Sequence, residues 1–301
     1  MVVSENYAHL TAAARLWADE DDDSRVRRIR TDRWISYARA EAAFAAFDDV
    51  LTFPKRTRMP NLLLFGPTNN GKTMIVEKFR RLHQGTAANG TSEGVANIPV
   101  LRVQMPPGPD ERRFFGAILD ALSYPHMLSD RGVSKRQEAA VQMMRETSVA
   151  LLIIDEVHNV LSGSRLQQRR VLNLLRWLGN ELQISLIAVG TADALHAIQS
   201  DDQLTNRFEP VPLPNWRAGK EYEQLLRTLE AVLPLRRPSQ LSEAPLAGKI
   251  LSVSEGILGE VISIVTRAAV RAVSSGTEMI CAKTIDQLGF VSPSQRRRVA
   301  V

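Results

Sequence analysis

The sequence predicts an α/β protein in which a parallel, doubly wound sheet is followed by a smaller, wholly helical part. Three observations carry this. A short apolar run, Leu62–Phe65, leads straight into Gly66-x-x-x-x-Gly71-Lys72-Thr73 and then into a helix-forming segment, 74–81. A second apolar run, Val149–Ile154, is unbroken and ends in two adjacent carboxylates, Asp155 and Glu156. Strand and helix patterns then alternate as far as residue 213, and beyond Trp216 only helical periodicity is left. Unbroken apolar strands are what a parallel sheet covered by helices on both faces requires.

In chain order, residues 1–24 carry little pattern and end in the acidic run Asp19–Asp23, which reads as a loosely held arm. From Arg25 to Leu51, Ile29, Trp34, Ile35, Phe44 and Phe47 fall near helical spacing. Residues 1–57 are therefore expected to form an arm and a helical extension packed on the α/β domain, which occupies 58–214. Strands are expected at 62–65, 98–103, 149–154, 184–191 and 211–213, five in all and parallel. Helices are expected between them at 111–122, 135–147 and 165–182, the last with Leu166, Leu172, Leu175 and Leu178 on its apolar side. Gly85–Asn97, rich in Gly, Ala, Ser, Thr and Asn, reads as a flexible loop. Helices at 220–233, 245–253, 257–274 and 283–288 make a helical domain, 215–292, closed by a basic tail, 293–301, that carries Arg296-Arg-Arg298.

The stretch Gly66-Pro67-Thr68-Asn69-Asn70-Gly71-Lys72-Thr73 has the strand–loop–helix setting of a phosphate-binding loop. The glycines let the backbone turn so that successive N–H groups face phosphate oxygens, and the following helix adds its positive end. Lys72 would reach the β- and γ-phosphates, and the Thr73 hydroxyl would ligate Mg²⁺. The expected ligands are thus a nucleoside triphosphate and Mg²⁺. Asp155, at the carboxyl end of a buried strand, would hold the same ion, and Glu156 would orient and polarise the attacking water. Thr191, at the end of the next strand, has two open readings: a sensor of the γ-phosphate, or a cap on the next helix.

Composition narrows the rest. The 301 residues are 44% hydrophobic, ordinary for a globular protein. The longest central apolar run is too short to span a bilayer, and the N-terminus shows no secretory pattern. Cys281 is the single cysteine, so no intramolecular disulfide can form. A reducing, cytoplasmic setting without a membrane is the expectation. The net charge is +5, and basic residues cluster at Arg25, Arg27, Arg28 and Arg30 and along the helix bearing Arg165, Arg169 and Arg170. These seven are the candidates for contact with duplex DNA. Solvated helix faces are the equal alternative for them. No zinc-ligand spacing or helix-turn-helix signature accompanies them, so sequence-specific readout is not expected.

With the phosphate loop, Asp155-Glu156, Thr191 and Arg207 in that order, the chain resembles the AAA+ ATPases. Arg58-Met-Pro-Asn-Leu-Leu-Leu-Phe-Gly-Pro-Thr-Asn-Asn-Gly-Lys-Thr-Met-Ile-Val-Glu-Lys-Phe79 is similar to the TniB family of transposon-encoded ATP-binding proteins, relatives of the TnsC-type regulators. So are Ile154-Asp-Glu-Val-His-Asn-Val-Leu161 and Leu172-Asn-Leu-Leu-Arg-Trp-Leu-Gly-Asn-Glu-Leu182, and the resemblance runs from about Arg25 to Arg298. It implies an AAA+ fold with an N-terminal helical extension and a small C-terminal helical lid. It implies that the nucleotide is ATP, and an ATPase that assembles on double-stranded DNA as a homo-oligomeric ring or filament and recruits or activates a separate transposase, with a target-selector protein as a further partner. It assigns Lys72 and Thr73 to Walker A, Asp155 and Glu156 to Walker B, Thr191 to sensor 1 and Arg207 to an arginine finger acting on a neighbour's nucleotide. In one departure, Gly256-x-x-Gly259 is followed by Glu260 where such lids often carry an arginine, and Arg267 comes two turns later. Two other functions share the nucleotide motifs: a helicase or replication loader, and a nucleotide-gated scaffold with negligible hydrolysis.

Overall fold

Each apolar run does form a strand. A computed structural model describes residues 7–84, 96–124, 132–199 and 201–299, so residues 85–95 of the expected loop lie outside the described residues. The chain runs α1 (Ala12–Ala18), α2 (Asp22–Arg30), α3 (Ala38–Leu51), β1 (Asn61–Phe65), α4 (Lys72–Leu82) and β2 (Val100–Gln104). It continues through α5 (Glu111–Ala121), α6 (Val133–Glu146), β3 (Leu151–Asp155), a 3₁₀ segment (Val157–Ser162), α7 (Arg165–Leu182) and β4 (Ser185–Gly190). Then come α8 (Ala192–Gln199), α9 (Asp202–Thr205), β5 (Phe208–Pro212), α10 (Lys220–Val232), α11 (Ala244–Ser254), α12 (Leu258–Ser274), α13 (Ala282–Asp286) and α14 (Pro293–Val299).

The chain divides into two compact units. One comprises residues 39–68 and 72–213 and holds the sheet, which is parallel throughout in the order β2-β3-β4-β1-β5. That order sets β3, β4 and β1 side by side, so the phosphate loop, the two carboxylates and Thr191 all leave the carboxyl edge of three neighbouring strands. Every residue of β3 and β4 is buried. β5 starts three residues earlier than the sequence suggests and carries Pro210 and Pro212. An edge position tolerates them because one side of the strand needs no partner. Phe114, Phe115, Ile118 and Leu119 of α5 pack against the sheet as their helical spacing predicts. In α7 the expected apolar side holds except at Leu166, which sits in the first turn and is 61% exposed. Phe47 of α3 meets Phe79 of α4 edge-on, 5.2 Å between ring centres.

The other unit comprises the residues up to Ala38, Asn69–Gly71, and Pro214 onward. Its core includes Ile29, Trp216, Tyr222, Leu226 and Ile264. Three expectations change here. Residues 7–38 group with the C-terminal helices, so the boundary expected at 57 falls near Ala38 instead. Residues 7–24 are not a loose arm, because Thr11 caps α1 and Asp21 caps α2 through side-chain oxygens that accept helix N–H groups. The basic tail is a helix, α14, whose Arg296 pairs with Glu260 of α12.

Arg25 is corrected most sharply. Its side chain is 0% exposed, and its Nη1 donates to Glu278 Oε1 at 2.8 Å and to Asp22 Oδ1 at 3.1 Å. Nη2 pairs with the other Glu278 oxygen and, at 3.1 Å, with the Pro234 carbonyl. Burial pushes the Glu278 carboxyl up, but Arg25 and the Arg236 N–H outweigh it and hold it below the usual range. Arg25 is thus an internal cation that cannot reach a DNA phosphate.

Candidate nucleotide site

The loop after β1 is shaped by backbone crowding at its two glycines. A Cβ on Gly66 would fall 2.3 Å from the Leu213 carbonyl oxygen, and Gly71 has φ +85°, where other residues are strained. α4 begins at Lys72, which directs its N-terminal end at the loop. Lys72 is 7% exposed, and its ammonium donates to the carbonyls of Gly66 at 2.8 Å and Pro67 at 2.6 Å. Burial pushes this ammonium down, opposed by the Glu156 and Asp155 carboxylates. Those carbonyls are neutral partners, so a phosphate arriving at the loop offers Lys72 a stronger one.

Across the carboxyl edge, Thr73 Oγ1 donates to Asp155 Oδ2 at 3.1 Å, although the two residues are 82 positions apart. Asp155 Oδ1 accepts the N–H of Glu156 at 2.9 Å. Glu156 has left-handed backbone angles (φ 57°), which end β3 abruptly and start the 3₁₀ segment. Its Oε2 lies 3.1 Å from His158 Nε2. The Thr191 hydroxyl at the end of β4 is buried, with no hydrogen-bond partner among the described residues. Its side chain therefore makes no cap on α8.

Thr73 and Asp155 present one hydroxyl and one carboxylate oxygen side by side. Mg²⁺ is commonly held by one or two such oxygens, with water and nucleotide phosphates completing its shell. Among the described residues no cluster of three or more His, Cys, Asp or Glu could form a protein-only metal cage. The donors present therefore fit a magnesium ion carried in with a nucleotide. One residue of this edge is missing from the sequence reading: Arg102 on β2, whose Nη2 donates to Asp155 Oδ2 at 2.8 Å. The signal was there, since a charged residue interrupts an apolar strand, but nothing in the sequence names its partner.

The loop tip, Asn69–Gly71, belongs to the helical unit and is held within it. Gly259 N–H donates to the Asn69 carbonyl at 2.9 Å, and Leu258 N–H donates to Asn70 Oδ1 at 3.0 Å. Asn70 Nδ2 donates in turn to the Pro214 carbonyl at 3.2 Å. Asn69 adopts φ 60°, which asparagine tolerates, and a Cβ on Gly259 would fall 2.1 Å from its Oδ1. The Asn-Asn filling of the loop thus satisfies the first N–H groups of α12. Glu260 accepts from Asn69 Nδ2 at 3.2 Å and pairs with Arg296, while Arg267 donates to the Leu288 carbonyl at 3.2 Å.

Arg207 lies elsewhere in the sheet unit. It precedes β5, whose first residue pairs with Asn61, so it sits at the strand-start edge. Five residues of strand, about 16 Å, separate that edge from the phosphate loop. Arg207 lines a cleft of about 730 Å³ with Arg56, Arg58, Asn61, Gln203 and Asn206. Its guanidinium donates to Asn180 Oδ1 at 3.0 Å and, among the described residues, has no carboxylate partner. Burial, then Arg58 and Arg176, push it down. Of the remaining basic candidates, Arg27, Arg30, Arg165, Arg169 and Arg170 are exposed, and Arg28 is half-buried over the Trp17 ring.

A profile of the family described as bacterial TniB protein matches residues 25–218. The chain belongs to the TniB family. The match ends short of Arg298, so helices α10 to α14 lie beyond it. No curated protein matches the chain. Among solved structures it is similar to the Aeropyrum pernix ORC2 protein in ADPNP–ADP complexes: TM-score 0.61, 17% identity, 87% of this chain and 70% of that one. The Aeropyrum pernix ORC1 protein in complex with DNA gives a TM-score of 0.58 at 16% identity over 91% of this chain and 69% of the other. Cdc6p from Pyrobaculum aerophilum gives 0.56 at 16% identity over 86% and 68%. At such identities the likeness concerns the fold, and the fold of this TniB-family chain is AAA+. Among the described residues no helix is long and apolar enough to cross a membrane.

Proposed function

We propose that this chain is an ATP-dependent, DNA-binding regulator of DNA transposition, which assembles as a homo-oligomer on target duplex and recruits or activates a partner transposase. Family membership supports the biological role. The observation that carries the chemistry is the Thr73–Asp155 contact of 3.1 Å beside Lys72, because it joins two separate motifs at one sheet edge. In this reading the loop 66–73 and Lys72 cradle the triphosphate. Thr73 and Asp155 would hold Mg²⁺, which when bound would neutralise negative charge on the triphosphate. Glu156 orients the attacking water, and Thr191 donates its free hydroxyl towards the terminal phosphate or that water. Arg207, a sheet length away from its own loop, serves a neighbouring subunit's nucleotide, and this makes turnover depend on assembly.

Duplex DNA is held through phosphates by exposed arginines, with Arg27, Arg30, Arg165, Arg169 and Arg170 the foremost candidates and Arg28 beside them. Membership of this family favours a transposase over a loader's client as the partner. The test is ATP turnover with and without duplex DNA in wild type, Lys72→Ala and Arg207→Ala. Turnover that rises on DNA, is lost in Lys72→Ala with nucleotide binding, and falls in Arg207→Ala only in the assembled state is expected. Tight ATP binding by Lys72→Ala would sink the loop assignment, and an equal effect of Arg207→Ala on monomers would remove its role in trans.

A further inference from the structure

The carboxylate of Asp155 is 2% exposed and completely engaged by the protein. One oxygen accepts the Glu156 N–H at 2.9 Å; the other accepts from Thr73 Oγ1 at 3.1 Å and from Arg102 Nη2 at 2.8 Å. Arg102 is therefore seated on the oxygen that Thr73 and Asp155 together would turn towards a cation. On its other side, Arg102 Nη1 lies 3.8 Å from Glu77 Oε2 on α4. Glu77 also holds Arg80 at 2.9 Å and Arg81 at 2.8 Å. One guanidinium thus stands between two carboxylates, tightly paired with the first and within about one ångström of pairing with the second.

We propose that Arg102 is a positioning residue that acts as the internal counter-cation of Asp155. It shares Oδ2 with Thr73, as the structure shows, and would pass to Glu77 when Mg²⁺ and nucleotide claim that oxygen. The physical ground is that a buried carboxylate needs a cation nearby whether or not metal is present, and Arg102 supplies it. Two cations on one oxygen repel, so the arginine must withdraw, and Glu77 is the acceptor already in reach. Asp155 exchanges a guanidinium for the metal, and the released guanidinium keeps a carboxylate partner in Glu77, which it shares with Arg80 and Arg81. The magnesium concentration needed for tight nucleotide binding is then set by the competition between Asp155 and Glu77 for Arg102. This rests on the assignment of Thr73 and Asp155 to Mg²⁺.

The test titrates Mg²⁺ from EDTA to the millimolar range against the full chain and a fluorescent ATP analogue, reading the midpoint for tight binding. Arg102→Gln removes a charge-assisted hydrogen bond that competes with the metal, so its midpoint should fall about tenfold, with affinity in EDTA little changed. Glu77→Gln removes the alternative acceptor and should move the midpoint the opposite way. Arg102→Lys keeps the charge without the two-pronged reach and should lie between Arg102→Gln and wild type. Thermal melting of each variant establishes that it is folded, and the Lys and Glu77 variants keep the test decisive should Arg102→Gln fold poorly. A purely structural arginine would raise the midpoint or leave it unmoved, and either result overturns the proposal while leaving the magnesium assignment intact. Wild type that binds nucleotide equally in EDTA and Mg²⁺ would overturn both.

Discussion

Glu156 and Lys72 are where the chemistry of the proposed reaction narrows to single atoms. Glu156→Gln keeps the size of the side chain and removes its capacity to polarise water. It should bind ATP normally yet turn it over about 10²-fold more slowly or worse, measured by steady-state phosphate release. Normal turnover would take Glu156 out of the mechanism. Glu77 offers a test by pH. Hydrogen bonds from Arg80, against burial and with help from Arg81, hold its carboxyl down at about 2. A depressed carboxyl stabilises the fold above its unfolded value near 4.5, and that contribution fades as the pH falls from there towards 2. The stability difference between wild type and Glu77→Gln should therefore be largest near neutral pH and shrink steadily below pH about 4.5 in denaturant titrations. Most of this site was legible at the residue scale, because a phosphate loop needs fixed residue types at fixed spacing. Arg102 was not, since its meaning lies in contacts with Asp155 and Glu77, 53 and 25 positions away, that no local pattern encodes.

At the scale of elements, local signals succeed where an element carries its own ends. α7 starts and stops where its periodicity does, because Ser164 and Gln167 form a capping box and Gln183 takes a left-handed turn. Ser164→Ala should cost about 1 kcal/mol of stability by denaturant unfolding. The N-terminal helices show the converse. The acidic run Asp19–Asp23 looked like solvated tether, yet Asp21 caps α2 through Ser24 N–H at 3.0 Å, and Arg25 is held by Glu278, 253 residues on. Such a partner is invisible in the sequence. Arg25→Ala leaves the buried Glu278 with only the half-exposed Arg236, 3.4 Å away, and should destabilise the fold by roughly 3 kcal/mol. Loss of DNA affinity at unchanged stability would contradict this placement. β5 begins at Phe208, ahead of Pro210, and only the strand order reveals the edge that admits its two prolines.

At the scale of the whole molecule, the parallel α/β class followed directly from apolar runs and alternation, whereas the division of the chain did not. The helical unit gathers residues from both ends of the sequence and the three-residue tip of the phosphate loop. Assembly on DNA also belongs to this scale. If Arg165, Arg169 and Arg170 neutralise phosphates, replacing all three with Ala should reduce the log–log salt dependence of duplex binding by up to about 3, uniformly across DNA sequences. The most direct measurement is negative-stain imaging of the chain mixed with duplex DNA in ATP, in ADP and without nucleotide. The proposed function predicts regular oligomers on the DNA in ATP that are lost or sparse in the other two conditions. Monomers that ignore DNA in all three conditions would contradict it.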